Sequence, residues 1–118
     1  MEELRPAKTL VEFDDFAKLD LRVGRVLECR DHTNADRLIV LKVDLGTEIR
    51  QICAMLKGHY RPEELVGKQV IVVANLAPRT LRGEPSQGLI LSAAEGPTKQ
   101  RMVILTPSAD VSVGSTVG

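Results

Sequence analysis

The chain has 118 residues, with sixteen positive and sixteen negative side chains. A chain of this length forms one domain that buries roughly 65% of its unfolded surface. The net charge of zero excludes a uniformly basic nucleic-acid binder, so attraction to phosphates requires a local patch. Because no apolar run is long enough to cross a membrane and no secretory core follows the N-terminus, we expect a cytoplasmic protein with no membrane partner.

A short helix is the first predicted element. Residues 1–9 lack periodicity and are expected to be flexible. Residues 10–19 place Phe13 and Phe16 at helical spacing, with acidic residues near the start of the segment. This pattern predicts a helix whose two phenylalanine rings are buried on one face.

A long strand with a bend follows the helix. Apolar and charged residues alternate from Leu19 to Arg30, which predicts a half-buried strand. Gly24 and Arg25 interrupt the alternation, and we interpret them as a glycine bend or a bulge that lets the strand curve. Further strands are predicted at Leu38–Leu45, Ile49–Ala54, Lys68–Ala74, Gly88–Ser92 and Arg101–Leu105, with a small edge strand near Val111–Val117.

A second helix is predicted between the third and fourth strands. Pro62 suits the first position of a helix, Glu63 and Glu64 favour its positive end, and Gly67 ends it. Three strands, a helix and further strands is the order of a five-stranded Greek-key barrel of the OB (oligonucleotide/oligosaccharide-binding) type. An SH3-like barrel or a β-sandwich rarely places a helix there. We therefore predict an all-β domain over residues 1–118, with the N-terminal helix added to it.

Residues used in catalysis and metal binding are present, but their spacing matches no known site. His32 and His59 lie in different loops, and an isolated loop histidine is usually a solvated turn residue, so His32 is predicted to cap the turn at Asn34. Cys29 and Cys53 belong to no metal-binding motif and are expected to be reduced thiols. We predict no enzymatic activity, no metal site and no cofactor.

Aromatic residues are scarce in this chain. Phe13, Phe16 and Tyr60 are the only ones, so the sequence lacks the stacking platform of a general single-strand binder. Tyr60 is predicted to be a half-buried loop anchor. A protein of this kind could still bind a folded RNA through phosphates, 2′-hydroxyls and shape.

The segment from Asn75 to Ala94 is the candidate binding element. It leaves one apolar run, passes several proline and glycine residues, and enters another apolar run at Leu89. Arg79 and Arg82 lie at its crest, where a planar guanidinium suits an anion. The alternative is a solvated connection whose arginines only keep the loop soluble.

Four motifs resemble, in the same order, those of the tRNA-binding domain family. That family includes free-standing tRNA-binding proteins and the domain appended to many methionyl-tRNA synthetases. The motifs are DLRVGRV at 20–26, HTNADRL at 32–38, PEELVGK at 62–68 and NLAPRTLRGEPSQG at 75–88. The resemblance spans about Phe13 to Leu105 and implies an OB barrel that binds tRNA by shape. The chain departs from the family in having Thr33 where proline is frequent and Leu89 where methionine is frequent.

The predicted tRNA-binding face comprises the outward side of the first three strands and the adjoining loops. Its candidate contacts are Arg22, Asn34, Arg37, Lys42, Arg50, Arg79, Arg82, Ser86 and Gln87. The resemblance places Arg22, Asn34, Ser86 and the two loop arginines on the family's binding face. Arginine dominates this set, and its planar fork suits contacts to phosphates and base edges.

Two functions are compatible with these patterns. The first is a tRNA-binding module, either free-standing or associated with an aminoacyl-tRNA synthetase, with the methionyl type favoured. The alternative is a protein-binding OB dimer of the secretion-chaperone type or a synthetase dimerisation module. We also predict a homodimer, because a barrel of this size has little interior for both the apolar N-terminal segment and Val111, Val113 and Val117.

Overall fold

The structure is a computed structural model that describes residues 6–118 and contains ten strands and two short helices. The helices are α1 (Phe13–Ala17) and α2 (Pro62–Leu65). The strands are β1 (Leu21–Asp31), β2 (Ile39–Asp44), β3 (Ile49–Ala54), β4 (Gln69–Val73), β5 (Arg79–Leu81), β6 (Glu84–Ser86), β7 (Leu89–Ile90), β8 (Ser92–Glu95), β9 (Arg101–Ile104) and β10 (Thr116–Val117). None of the helices within residues 6–118 is long and apolar enough to cross a membrane.

Five strands form a nearly closed antiparallel barrel in the order β3-β2-β1-β4-β7. The fourth strand returns to lie beside the first, which is a Greek-key arrangement. The barrel approaches closure where the backbone N–H of Gln87, just before β7, donates to the carbonyl of Gln51 on β3 at 2.8 Å. The predicted all-β OB barrel is confirmed.

The helix α2 lies between β3 and β4, as predicted. Pro62 is its first residue, and Glu64 Oε1 accepts a hydrogen bond from the backbone N–H of Arg61 at 2.7 Å. Gly67 follows the helix with φ of 89°, a conformation that favours glycine. Its N–H donates to the carbonyl of Val26 at 2.8 Å, which fastens the end of the helix to β1.

The irregularity in the pairing of β1 lies further along the chain than predicted. The register of β1 against β2 shifts between Val26 and Glu28, and the prediction of a bulge at Gly24 and Arg25 was therefore wrong. Gly24 has a packing role instead. A Cβ atom at this position would lie 2.5 Å from Cγ1 of Val43, so only glycine lets β2 approach so closely.

The barrel interior is filled by aliphatic side chains. Every residue of β4 is buried, which matches its unbroken apolar run. Cys53 is buried and Cys29 is half-buried against the core, and both are free thiols. Burial, with a smaller contribution from the negative charge of Asp31, raises the pKa of Cys29 to about 11. Both thiols are therefore expected to be inert.

The helix α1 lies on the outside of the barrel and buries none of its residues. Phe13 is 75% exposed and Phe16 is 40% exposed, so the prediction that these rings are buried was wrong. The described contacts hold only the end of this segment, where Asn75 donates to the carbonyl of Lys18 at 2.6 Å. Of residues 1–9, predicted to be flexible, residues 1–5 lie outside the described part of the chain, and residues 6–9 have no regular secondary structure.

Three further predictions concern the last third of the chain. The predicted strand Gly88–Ser92 is divided between β7 and β8, and the predicted strand Arg101–Leu105 corresponds to β9, which pairs with β8. The C-terminal edge strand is confirmed as β10, which places Val117 opposite Leu21 of β1.

Candidate nucleic-acid interface

The segment predicted as an irregular loop contains a β-hairpin. Strands β5 and β6 pair with Arg79 opposite Ser86. Arg82 and Gly83 form the two-residue turn, with φ of 53° and 91°. Two successive residues with positive φ are typical of a type I′ turn, whose twist matches that of the paired strands. The hairpin therefore presents Arg79 and Arg82 from a defined backbone, and both side chains are exposed.

Glu84 fastens this hairpin across the outer face of the barrel. Its Oε2 accepts a hydrogen bond from Arg30 Nη2 on β1 at 2.8 Å, and its Oε1 accepts one from Gln51 Nε2 on β3 at 3.0 Å. The strand β2 lies between β1 and β3, so a hairpin fastened to both of them crosses over β2. Val40, whose side chain points outward from β2, is consequently only 3% exposed. The hydrogen bond from Arg30, followed by that from Gln51, holds the pKa of Glu84 below its usual value.

Ser86 also holds the hairpin in place. Its side chain is buried, with the residue 2% exposed, and its Oγ accepts a hydrogen bond from the backbone N–H of Cys53 at 3.0 Å. The hydroxyl also lies 3.5 Å from the carbonyl of Gly88, to which it can donate. The buried hydroxyl therefore holds β6 against β3 and is not on the exposed surface of the hairpin. The next residue, Gln87, is exposed.

His32 links the loop between β1 and β2 to the same hairpin. Its Nε2 lies 2.8 Å from the carbonyl oxygen of Leu81, and its Nδ1 lies 2.9 Å from the backbone N–H of Asn34. A carbonyl accepts and an N–H donates, so the ring is neutral with its proton on Nε2. The predicted cap at Asn34 is confirmed. The prediction of a solvated ring was wrong, because the hairpin covers the imidazole and leaves it 3% exposed.

A groove of about 1300 Å³ lies between this hairpin, the loop that follows β1 and the turn between β8 and β9. Its lining includes four cationic side chains, those of Arg37, Arg79, Arg82 and Lys99, and one carboxylate, that of Asp36. None of the four cations forms an ion pair within residues 6–118. The groove is therefore a local positive patch on a chain whose net charge is zero.

The floor of the groove is apolar. Met55, Leu89 and Met102 contribute to it together with small side chains. Leu89 occupies the position at which the family frequently has methionine, so the apolar contact is kept. Flexible thioethers can adapt to a ligand of irregular shape.

Arg22 and Arg50 do not line the groove, and each has a carboxylate partner. Arg22 Nη2 lies 2.8 Å from Asp20 Oδ2, and Arg50 donates to Glu48 and to the carbonyl of Ala74. The hydrogen bond from Arg22 holds the pKa of Asp20 below its usual value, and that from Arg50 has the same effect on Glu48. Their charges are thus largely neutralised within the protein.

The remaining predicted contacts surround the groove. Lys42 lies on the exposed side of β2, opposite Gln51, on the outer face that the hairpin crosses. It has no ion-pair partner in the described part of the chain. Asn34 is exposed in the loop that also carries Arg37. The structure therefore brings Arg37, Arg79 and Arg82 into one groove and leaves the other candidates at its margin or beyond it.

Lys99 lines the groove but was not among the predicted contacts. It lies in the turn between β8 and β9 with φ of 57°, and no motif marks it. The signal that could have found it is the pair Gly96 and Pro97 between two predicted strands, which indicates a turn. That signal predicts a turn between β8 and β9, but it does not predict that this turn lies across the groove from Arg79. Among residues 6–118, no three His, Cys, Asp or Glu side chains converge as a metal site would require.

The family model described as "Putative tRNA binding domain" matches residues 21–116. The chain belongs to this family. It is a tRNA-binding domain with the OB fold, and the resemblance seen in its four motifs is confirmed.

Methionine–tRNA ligases are among the relatives of this domain. The domain is 53% identical over 107 residues to the enzyme of Thermococcus kodakarensis, covering 91% of this chain and 14% of the ligase. It is 51% identical over 118 residues to that of Pyrococcus abyssi, covering 99% of this chain and 16% of the ligase. The chain therefore spans only a small part of these relatives.

Two solved structures of similar size share the fold. A MetRS-related protein from Pyrococcus horikoshii superposes with a TM-score of 0.85 at 33% identity, covering 94% of this chain and 100% of that one. The chaperone CsaA from Bacillus anthracis superposes with a TM-score of 0.84 at 29% identity, covering 93% of this chain and 100% of that one.

Proposed function

We propose that this domain, acting as one unit over residues 1–118, binds folded tRNA by its shape and uses the groove as its phosphate-binding element. The observation that carries the proposal is the convergence of Arg37, Arg79, Arg82 and Lys99 in one groove without carboxylate partners among the described residues. Unpaired cations attract phosphates without first breaking an ion pair. Exposed Asn34, Lys42 and Gln87 extend the proposed contact surface.

Selectivity for folded RNA is supported by the absence of a stacking surface in the groove. Tyr60 accepts a hydrogen bond from the backbone N–H of Ile104 at 3.1 Å and is half-buried, as expected of a loop anchor. Phe13 and Phe16 belong to α1 and do not line the groove. A rigid hairpin with fixed arginines suits the constant spacing of phosphates in a folded RNA better than the variable path of a single strand.

Arg22 and Arg50 have a smaller part in this proposal. A phosphate that approaches Arg22 competes with the carboxylate of Asp20, which already forms an ion pair with it. At Arg50 the competing carboxylate is that of Glu48. We propose that these two arginines act as peripheral contacts and that the groove carries most of the electrostatic attraction.

Association with an aminoacyl-tRNA synthetase of the methionyl type is the second part of the proposal. It is supported by the methionine–tRNA ligases among the relatives. A free-standing domain is supported by the P. horikoshii MetRS-related protein, which this chain covers over its whole length. In either form, we propose that the domain works in the cytoplasm beside the translation machinery and catalyses no reaction itself.

A homodimer is the third part of the proposal. The N-terminal segment leaves Leu10 94% exposed and Phe13 75% exposed, and Val111 is also exposed at the other end of the chain. We propose that these exposed apolar side chains contribute to the dimer interface. A two-fold pair would present two grooves to one tRNA and raise the apparent affinity without a new type of contact.

Binding of an unfolded protein is the second candidate function. The apolar floor with Met55, Leu89 and Met102 favours it, as does the similarity to the chaperone CsaA of B. anthracis. An apolar groove rimmed by cations suits a peptide that carries apolar and acidic residues.

A gel-shift comparison distinguishes the two functions. The protein is titrated into tRNA, into single-stranded RNA of equal length, and into an unfolded reporter protein. We expect a shift of tRNA at lower protein concentration than of the single strand. Protein purified at low salt should also carry nucleic acid that a high-salt wash removes, which lowers the 260/280 nm absorbance ratio. Equal binding of the two RNAs would contradict shape selectivity, and binding of the reporter alone would favour the chaperone function.

A further inference from the structure

We propose that His32 is a positioning residue for tRNA binding. In this inference, which rests on the proposed function, the imidazole holds the loop that carries Arg37 in register with the hairpin that carries Arg79 and Arg82. The two segments are far apart in the sequence, and the folded chain brings them together. The inference arises from the two hydrogen bonds that the buried ring makes.

The geometry places the ring between the two cation-bearing segments. The loop is closed by a hydrogen bond from His32 N–H to the carbonyl of Leu38 at 3.1 Å, so residues 32–38 form a compact unit. Within that unit, Nδ1 accepts from Asn34 N–H at 2.9 Å. On the other side, Nε2–H donates to the carbonyl of Leu81 at 2.8 Å, and Leu81 directly precedes Arg82.

The link through His32 is distinct from the other contacts of the hairpin. Glu84 and Ser86 fasten β6 to β1 and β3, and neither contacts the loop. Within residues 6–118, no second hydrogen bond joins residues 32–38 to the hairpin. Arg37 is also held from the segment after β3, because its carbonyl accepts a hydrogen bond from the backbone N–H of Lys57 at 3.3 Å. Among residues 6–118, however, the imidazole provides the one direct hydrogen bond between the loop and the hairpin.

Two conservative substitutions separate the two hydrogen bonds. The amide nitrogen of Gln stands near the position of Nε2, so His32→Gln keeps a donor for the carbonyl of Leu81 and loses the acceptor for Asn34. The amide oxygen of Asn stands near the position of Nδ1, so His32→Asn keeps that acceptor and loses the donor. His32→Gln leaves the N–H of Asn34 without its partner, and His32→Asn leaves the carbonyl of Leu81 without its partner. Because each variant loses one hydrogen bond, the free energies of unfolding of the two variants should be similar.

The experiment measures tRNA affinity by filter binding and, in the free protein, amide hydrogen exchange at residues 81–83. We expect His32→Gln to stay within about twofold of the parent in both measurements. We expect His32→Asn to bind tRNA about fivefold more weakly, the effect of one lost hydrogen bond, and to exchange faster at the hairpin turn. Thermal unfolding of both variants provides the control for stability.

Equal tRNA affinities of the two variants would overturn the inference, as would affinities that follow only the unfolding midpoint. The outcome is separable from that of the proposed function. If the parent itself does not bind tRNA, the proposed function fails, and equal exchange rates at residues 81–83 in the two variants would then exclude the link as well.

Discussion

Arg30 donates a hydrogen bond from Nη2 to Oε2 of Glu84 at 2.8 Å, and this contact joins residues 54 positions apart in the sequence. Glu84 also accepts a hydrogen bond from Gln51, and these two contacts hold the hairpin of β5 and β6 over β2. The same carboxylate has a pKa below its usual value because of these hydrogen bonds. We therefore expect the position of the hairpin to be sensitive to acid.

The first prediction concerns Glu84 and pH. Because its folded pKa lies below the unfolded value near 4.5, its stabilising contribution is complete above that pH and is lost as the pH falls through the lower folded pKa. The free energy of unfolding should therefore fall more steeply below about pH 4.5 in the parent than in Glu84→Gln. Urea unfolding across that range measures both slopes. Parallel curves for the two proteins would contradict the prediction.

The second prediction concerns Ser86. Ser86→Ala removes the acceptor of a buried backbone N–H, that of Cys53, and should lower the free energy of unfolding by about 1–3 kcal/mol. The tRNA affinity of the folded variant should stay within about twofold of the parent, since the hydroxyl is buried. Ser108→Ala, at an exposed position, is the control for the unfolding measurement. A loss of tRNA affinity without a loss of stability would instead make Ser86 a direct contact.

Local patterns in the sequence predicted most of the barrel. Alternation located β1 and β2, an unbroken apolar run located β4, and proline with two glutamates located α2. Each of these signals arises from residues adjacent in the chain, because each records which side of a strand or helix is buried. The bulge was misplaced because Gly24 interrupts the alternation for a different reason, its close packing against Val43.

The candidate site depends on contacts between distant segments, and these leave no local pattern. Glu84 accepts a hydrogen bond from Arg30, which lies 54 residues earlier in the chain. His32 is buried because the hairpin, which is distant in the sequence, covers it. The arginines were found because proline and glycine surround them. Lys99 was not, since only the folded chain brings its turn to the same groove.

The third prediction concerns ionic strength. If about four to six phosphates are contacted, the logarithm of the tRNA association constant should fall with the logarithm of salt concentration at a slope near −3 to −5. Lys99→Ala should reduce the magnitude of this slope by about 1, because its cation has no ion-pair partner among residues 6–118. Arg22→Ala should change it less, because Asp20 already neutralises that guanidinium. A slope near zero would favour the protein-binding function.

The fourth prediction concerns the homodimer. The parent should sediment at twice the chain mass of 12.9 kDa at micromolar concentration. Phe13→Glu should sediment as the monomer without loss of stability, because the ring is exposed and contributes nothing to the barrel core. Val66→Glu changes another exposed apolar side chain, beside α2, and should leave the dimer intact. A monomeric parent would contradict the prediction.

The fifth prediction concerns the two arginines of the hairpin. Arg79→Ala and Arg82→Ala should each weaken tRNA binding by roughly 1–2 kcal/mol while leaving the fold and the dimer intact. The reason is that both side chains project from a hairpin already held by Glu84 and Ser86, so the phosphate contact orders little additional backbone.

Arg61→Ala is the matched control for this pair. Arg61 is exposed as well, but it is paired with Glu63 and Glu64 and lies outside the groove, so its removal should leave affinity nearly unchanged. Filter-binding titrations of each folded variant against bulk tRNA measure the differences. If all three arginine variants weaken binding equally, the attraction is distributed over the surface. If Arg79→Ala and Arg82→Ala bind like the parent, the hairpin is not the tRNA site, because its two exposed guanidinium groups would then make no phosphate contact.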